Sequence, residues 1–280
     1  MSAVRLTTKR VEKPWGRHDL WPGFPDQPKD KDPVGEVWFE EPDGSQPPLL
    51  VKYLFTSEKL SVQVHPDDQY ARAHGYHRGK DEAWLILSAE PHATIALGTL
   101  YPMDKDELRR SALDGSIEKK LDWKAVKADD SYYSPAGTVH AIGPGLVVIE
   151  VQQNVDLTYR LYDYGSAREL HVDDAVAVSD PVPYVAPYIA HDVEPGRTVL
   201  GDGPAFVLER WRRSGSGTLD SKGRGSVWLV PVKGGGTLDG GRLEPGGVWV
   251  ATGPTALTLD DGADLLVAYS DAGVIDGIWG

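Results

Sequence analysis

The stretch Ser61-Val62-Gln63-Val64-His65-Pro66-Asp67-Asp68 gathers side chains able to do chemistry more densely than any other part of this chain. In an extended strand successive side chains point to opposite faces, so Val62 and Val64 share one face and Ser61, Gln63 and His65 the other. Two valines suit a core, which leaves a hydroxyl, an amide and an imidazole converging on one site. An amide and an imidazole so spaced on a rigid strand can reach a single metal ion. Downstream, Glu82 lies in Gly79-Lys80-Asp81-Glu82-Ala83-Trp84. His140 ends Pro135-Ala136-Gly137-Thr138-Val139-His140, where Pro and Gly shape a turn that projects the histidine from the next strand. Together Gln63, His65, Glu82 and His140 make a nitrogen and oxygen donor set suited to zinc, with room for a substrate oxygen.

Basic side chains accompany that set. Lys52 interrupts the apolar run Leu49-Leu50-Val51-Lys52-Tyr53-Leu54-Phe55, which argues against a merely solvated role. Lys80 sits in a polar turn two residues before Glu82. Arg160 lies among Tyr159, Leu161 and Tyr162, and a buried arginine needs a partner, which Asp156 or Glu150 can provide. The formal net charge is −13, so an anionic substrate must meet a local basic cluster. Lys52, Lys80 and Arg160 supply one. The same charge argues against nucleic acid or an anionic membrane surface as partner. No cysteine is present, which excludes disulfides and thiolate ligands and fits a reducing, cytoplasmic setting. No run approaches the ~18 apolar residues of a membrane span, so a soluble chain with no membrane partner is expected. The N-terminus, with Arg5, Lys9, Arg10, Glu12 and Lys13 before Trp15, lacks the apolar core of a signal peptide.

The elements that must position these groups are mostly short strands. At 280 residues the chain suits one large domain or two moderate ones, and 31 glycines with 21 prolines imply many turns. Breaks fall at Pro22-Gly23-Phe24-Pro25 and Glu41-Pro42-Asp43-Gly44. Residues 35–40 read as a strand with Val37 and Phe39 on one face, and 49–55 and 60–65 as the next two, followed by a short helix around 67–74. Residues 82–87 and 93–97 read as a buried pair joined by a turn at Pro91. The clearest helix spans 105–121, with Leu108, Ala112, Leu113, Ile117 and Leu121 on one face and a capping box from Asp104 to Glu107. Strands resume at 131–133, 146–151 and 157–162. Residues 180–196 are rich in proline and mark a connection between domains. Strands at 205–211, 226–232, 247–251, 256–259 and 265–269 then have the spacing of a small β-sandwich or jelly roll.

Several pieces occur in a telling order: Lys13-Pro14-Trp15-Gly16, Gly35-Glu36-x-Trp38, Lys52, S-V-Q-V-H-P-D-D, Lys80-x-Glu82, P-A-G-T-V-H, and Glu150-Val151-Gln152-Gln153-Asn154 continuing to Thr158-Tyr159-Arg160-Leu161-Tyr162-Asp163. Over these the chain resembles the type I phosphomannose isomerases, zinc enzymes of the cupin superfamily, and looks like their compact bacterial branch. The resemblance implies a mainly β, two-domain cupin or jelly-roll protein with a few short helices. Residues 1–192 would form the metal-binding catalytic domain and residues 193–280 a smaller, metal-free, degenerate cupin-like domain. It further implies one Zn²⁺ per chain, held by Gln63, His65, Glu82 and His140, and interconversion of mannose 6-phosphate and fructose 6-phosphate through an enediolate.

Such a reaction needs an electrophile for the developing oxyanion, an acid/base near two carbons and a phosphate anchor. Arg160, Lys52, Lys80 and Glu150 are the catalytic candidates, with the proton-transfer base left open among them. Trp15 and Glu36 are expected to line the sugar pocket, Ser61 to hydrogen-bond a phosphate or hydroxyl, and Asp156 to lie at the substrate site. A small sugar phosphate as partner and a monomer are expected. Two rival readings exist. An iron-dependent cupin oxygenase fits a glutamine ligand and several lysines poorly. A non-catalytic sugar-phosphate-binding cupin would fit better had a ligand or Arg160 been lost.

Overall fold

Short β-rich runs between glycine and proline turns fold into four antiparallel sheets. The computed structural model describes residues 3–21, 23–270 and 273–280. Pro22, which opens the first expected break, lies outside the described residues, as do Met1 and Ser2.

The outer front sheet has five strands, in the order Tyr159–Tyr162, Val62–Val64, His140–Ile142, Thr94–Thr99 and Leu121–Ala125. The inner front sheet has six: Thr7–Arg17, Val34–Glu40, Leu49–Thr56, Leu146–Gln153, Glu82–Ala89 and Ser131–Ser134. The inner rear sheet has seven: Ala3–Arg5, Trp249–Ala251, Val227–Lys233, Asp264–Ser270, Phe206–Trp211, Arg197–Asp202 and His191–Glu194. The outer rear sheet has four: Gly215–Leu219, Thr255–Leu259, Gly236–Leu238 and Gly241–Leu243.

Four apolar cores set how these sheets stack. Val37, Phe39, Val51, Tyr53 and Ile149 of the inner front sheet pack on Phe206, Trp228, Val230 and Leu266 of the inner rear sheet. The opposite face of the inner front sheet sends Leu54, Trp84, Ile86 and Val148 against Ile95, Leu97 and Ile142 of the outer front sheet. Behind that sheet, Val62, Val64, Ala141 and Leu161 meet Leu108, Ala112 and Ala175 of the helices Lys105–Asp114 and Val172–Val178. A fourth core joins the two rear sheets. The architecture is mainly β with four short helices, in the cupin manner. Strands of the two inner sheets are therefore covered on both faces, which explains why Leu49–Thr56 and Leu146–Gln153 are buried throughout. Among the described residues no helix is long and apolar enough to cross a membrane.

Several expectations need correction. The helix expected over 105–121 is broken: Lys105–Asp114 ends at Gly115, whose left-handed φ of 77° stops it, and a single turn Ile117–Lys120 precedes the strand Leu121–Ala125. Leu113, assigned to the apolar face, is 67% exposed. The cap is as expected, with Asp104 accepting from the Glu107 N–H at 2.6 Å. Residues 82–87 and 93–97 are both buried strand, yet they do not pair; they belong to opposite front sheets. The strand expected over 60–65 is regular only at Val62–Val64. Thr7–Arg17 was invisible to apolar patterning because its first half is exposed on both faces. Chain order separates front from rear sheets for every strand except Ala3–Arg5, which joins the rear, while His191–Glu194 straddles residue 192.

The rear half contains a fully buried ion pair. Arg197, 1% exposed, donates from Nε to Glu209 Oε2 at 2.6 Å and from Nη2 to Oε1 at 2.7 Å. Trp211 and Tyr269 also donate to this carboxylate, and Nη2 reaches the Ile275 carbonyl at 2.8 Å. Glu209→Ala removes the two-pronged acceptor and leaves the buried guanidinium only the partly exposed Glu194 at 3.2 Å and the Ile275 carbonyl, so urea unfolding is expected to show a loss of about 3 kcal/mol. A loss below about 1 kcal/mol would mean that the pair is not an essential part of this core.

Candidate metal centre and cavity

Alternation along the two front sheets gathers the chemistry between them. On Leu49–Thr56, Val51, Tyr53 and Phe55 face the rear core, which turns Lys52 and Leu54 inward. Register then builds a row across the inner sheet, Trp38 opposite Lys52, Lys52 opposite Glu150, and Glu150 opposite Trp84. From the outer sheet, Val62 and Val64 go to the helix side, so Gln63 faces inward, paired across the ladder with His140 on one side and Arg160 on the other.

His65, Glu82 and His140 each present a ligand atom, and these atoms lie within 4.8 Å of one another, fully buried. The His65 Nδ1 donates to the Leu157 carbonyl at 2.9 Å, and the His140 Nδ1 to the Thr138 carbonyl at 2.9 Å. A carbonyl can only accept, so both Nδ1 atoms carry the proton and both Nε2 lone pairs face Glu82. The His65 Nε2 is 3.2 Å from Glu82 Oε1, and the His140 Nε2 3.5 Å from Oε2. Both Glu82 oxygens and the His140 Nε2 have no hydrogen-bond partner among the described residues. Buried acceptors without donors are costly, and a divalent cation satisfies all three, so the donor set fits a metal ion.

Charge is balanced locally. Burial pushes the Glu82 carboxyl upward, but the Lys80 ammonium, whose Nζ is 2.7 Å away, opposes that and holds it well below the usual carboxylate range. Burial, with the Lys80 charge behind it, pushes the His65 imidazole down to about 3, and burial lowers His140 as well. Both rings are therefore neutral and free to ligate.

A cavity of about 140 Å³ opens beside this centre. Trp15, Glu36, Lys52, Ser61, Gln63, Lys80, Glu82, Glu150, Asp156 and Arg160 all line it, so the structure brings the sequence-derived candidates together. His65 and His140 stand behind them at Glu82. Lys52 lies 3.3 Å from Glu150 and 3.9 Å from Glu36, with its ammonium 4.7 Å from the Trp38 ring centre. Against its burial, those two carboxylates raise the Lys52 pKa. Burial and the nearby Glu82 charge raise Glu150, despite Lys52, and Trp84 Nε1 donates to its Oε2 at 3.1 Å.

Arg160 does not find the acid partner expected in Asp156 or Glu150. Its Nη1 donates instead to the Glu169 carbonyl at 2.6 Å, and its buried Nε has no partner among the described residues. Sequence reading assigned no site role to six lining residues, Lys13, Trp38, Leu54, Leu60, Thr158 and Arg168. Trp38 was findable, since it is two residues from Glu36 on one strand face. Arg168 comes from a loop, held by a two-pronged pair to Asp163 at 2.6 and 2.7 Å, and no periodicity announces it.

The loop that delivers His140 is tied down by Asp81. Its carboxylate accepts from the Ala136 N–H at 2.8 Å and from the Tyr133 hydroxyl at 2.8 Å, while Gly137 N–H donates to the His65 carbonyl at 2.8 Å. Gln153 receives the Asp81 N–H at 3.0 Å.

Known proteins resemble this chain in sequence and in fold. No family model matches the chain. It is 38% identical over 179 residues to the mannose-6-phosphate isomerase of Streptococcus mutans, covering 60% of this chain and 56% of that protein. It is 36% identical over 202 residues to the mannose-6-phosphate isomerase ManA of Bacillus subtilis, covering 66% and 64%. These matches span less than two thirds of the relatives' own length. Among solved structures, the mannose 6-phosphate isomerase from Bacillus subtilis superposes with a TM-score of 0.80 at 28% identity, covering 96% of this chain and 100% of that one. A zinc-bound mannose 6-phosphate isomerase superposes with a TM-score of 0.72 at 13% identity, covering 97% and 100%, a likeness of fold.

Calorimetric titration with Zn²⁺ is expected to give one site per chain, abolished by Glu82→Ala. Asp81→Ala, which frees the histidine loop, is expected to weaken it by about 10–100-fold. At about a hundred times its Kd the ion should add about 2.7 kcal/mol to unfolding stability. Full ion content in Glu82→Ala would refute the donor set.

Proposed function

The chain belongs to the mannose-6-phosphate isomerase family in its compact bacterial form, and we propose that it interconverts mannose 6-phosphate and fructose 6-phosphate with one bound zinc ion. The observation that carries this reading is a set of orphaned, buried ligand atoms opening onto a cavity rich in cations. Gln63 is the fourth ligand in this reading, supported by its place directly across the ladder from His140. When bound, zinc supplies positive charge to the sugar oxygens O1 and O2 as negative charge develops on them.

The reaction removes a proton from C2 of the open-chain aldose and returns one to C1, while the hydroxyl proton passes between O2 and O1. We assign the carbon proton to Glu150. Its carboxyl is buried, its pKa is raised, and Lys52 at 3.3 Å steadies whichever form is charged. Arg160 offers its unpartnered Nε, and with Arg168 gives the anionic substrate two guanidinium groups at the cavity wall. Ser61 adds a hydroxyl for the phosphate or a sugar oxygen. Trp15 and Trp38 give flat apolar walls on which a sugar ring can lie, and Glu36 and Asp156 accept from its hydroxyls. Apolar cores on both sides keep bulk water from the reacting carbons. A phosphorylated substrate and the absence of cysteine support a cytoplasmic setting.

A coupled assay with mannose 6-phosphate should show turnover that chelation removes and Zn²⁺ restores; a zinc-loaded chain without turnover would sink the reading. Arg160→Ala is expected to lower kcat/KM by about 100-fold or more. A base must be ionised to act, so the rate should fall as pH drops through the raised Glu150 pKa, above the ordinary range near 4.5. Glu150→Gln should cost about 10²–10⁴ in kcat and erase that acid limb. An unchanged profile in Glu150→Gln would move the base elsewhere.

A further inference from the structure

A large cleft shares no lining residue with the cavity at the metal centre. It holds about 1000 Å³ between the front and rear halves, within the range of small-molecule sites. The rear wall carries Arg210, Arg212, Arg213 and Lys233, and the carboxylates facing them are Asp129 and Asp264. Arg213 is held by Glu194 at 2.9 Å, which leaves Arg210, Arg212 and Lys233 against Asp129 and Asp264, an electropositive recess in a chain of net charge −13.

Its floor is built. Arg210 is buried and spans both halves, from Asp264 at 2.8 Å in the rear sheet to Asp129 at 2.6 Å in the front. Asp129 adopts a left-handed φ of 75°, uncommon for a non-glycine residue, and from there reaches Arg210. Arg210 is thus saturated and serves as scaffold. Arg212 is not: it is more than half exposed, 3.1 Å from an Asp264 oxygen that Arg210 already holds and 3.6 Å from Asp129. Lys233 stands opposite Asp264 in the strand register, and among the described residues it has no ion-pair partner. At the rim Trp21, 67% exposed, presents an indole beside Leu87 and Pro245.

We propose that this cleft is a second ligand site, for a nucleoside diphosphate or a ligand of like chemistry, whose phosphates meet Arg212 and Lys233 and whose base lies on Trp21. An indole stacks on any planar base, and guanidinium and ammonium groups bind diphosphates through charge-assisted hydrogen bonds. The site is separate from the isomerase centre and does not depend on the activity assigned there.

Isothermal calorimetry with ADP on the full chain tests it. One molecule is expected to bind, and Arg212→Ala or Lys233→Glu should weaken it about tenfold or more. Both changes are at exposed side chains outside the metal cavity. Arg160→Ala should bind ADP as the parent does. Trp21→Ala should also weaken ADP about tenfold, and inorganic pyrophosphate should bind about tenfold more weakly than ADP. No binding, undiminished binding in Arg212→Ala and Lys233→Glu, or loss in Arg160→Ala would overturn the site. Equal affinity for pyrophosphate and ADP would overturn the nucleoside assignment.

Discussion

Glu82 sets the terms for this molecule. A carboxylate left 1% exposed keeps its charge only where other charges and donors replace the water it has lost. The Lys80 ammonium, 2.7 Å from Oε1, and two neutral imidazoles stand around it within 3.5 Å, and neither oxygen receives a well-aligned hydrogen bond. Each neighbouring charge makes a similar demand. Lys52 is buried and needs Glu150 and Glu36; Glu36 in turn lies near Lys13 at 3.6 Å. The cavity is therefore a chain of answered charges, and one that adds little to stability by itself.

What holds it in place is apolar. Because the inner front sheet is covered on both faces, each of its central strands devotes alternate residues to the core shared with the rear half and sends the others toward the site. Slipping one strand by a single residue would exchange Tyr53 for Lys52 and Ile149 for Glu150. The hydrophobic layer behind the sheet thus fixes the polar side, which is why the rear half matters to a site it does not line. Asp81 performs the same service at shorter range, clamping the loop that delivers His140.

Much of the site was legible because two-residue alternation is local. Val62 and Val64 facing away from Gln63, and Lys52 interrupting an apolar run, need nothing beyond the sequence to be noticed. The family resemblance then tied scattered motifs into one donor set. What escaped was non-local or unpatterned. The helix at 105–121 failed because its apolar spacing continues through Gly115, where a left-handed residue ends the helix whatever the spacing does. Pairing 82–87 with 93–97 failed because burial looks alike whether two strands share a sheet or face each other across one. Arg168 and the Glu169 carbonyl that holds Arg160 lie in a loop with no period to read. Thr7–Arg17, polar along much of its length, gave no pattern at all.

The pairing of Ala3 with Ala251 and Arg5 with Trp249 has a consequence for how the molecule is made. Ala3–Arg5 and Trp249–Ala251 stand far apart in the sequence, with the whole front half between them. The rear sheet gains this edge strand only once both segments have been made, even though the intervening strands of the front half can already assemble. Closing so long a loop is entropically slow, so this seam is a natural late event in folding, and a bulky extension fused to the first residues would burden the half of the protein that is otherwise farthest along the sequence.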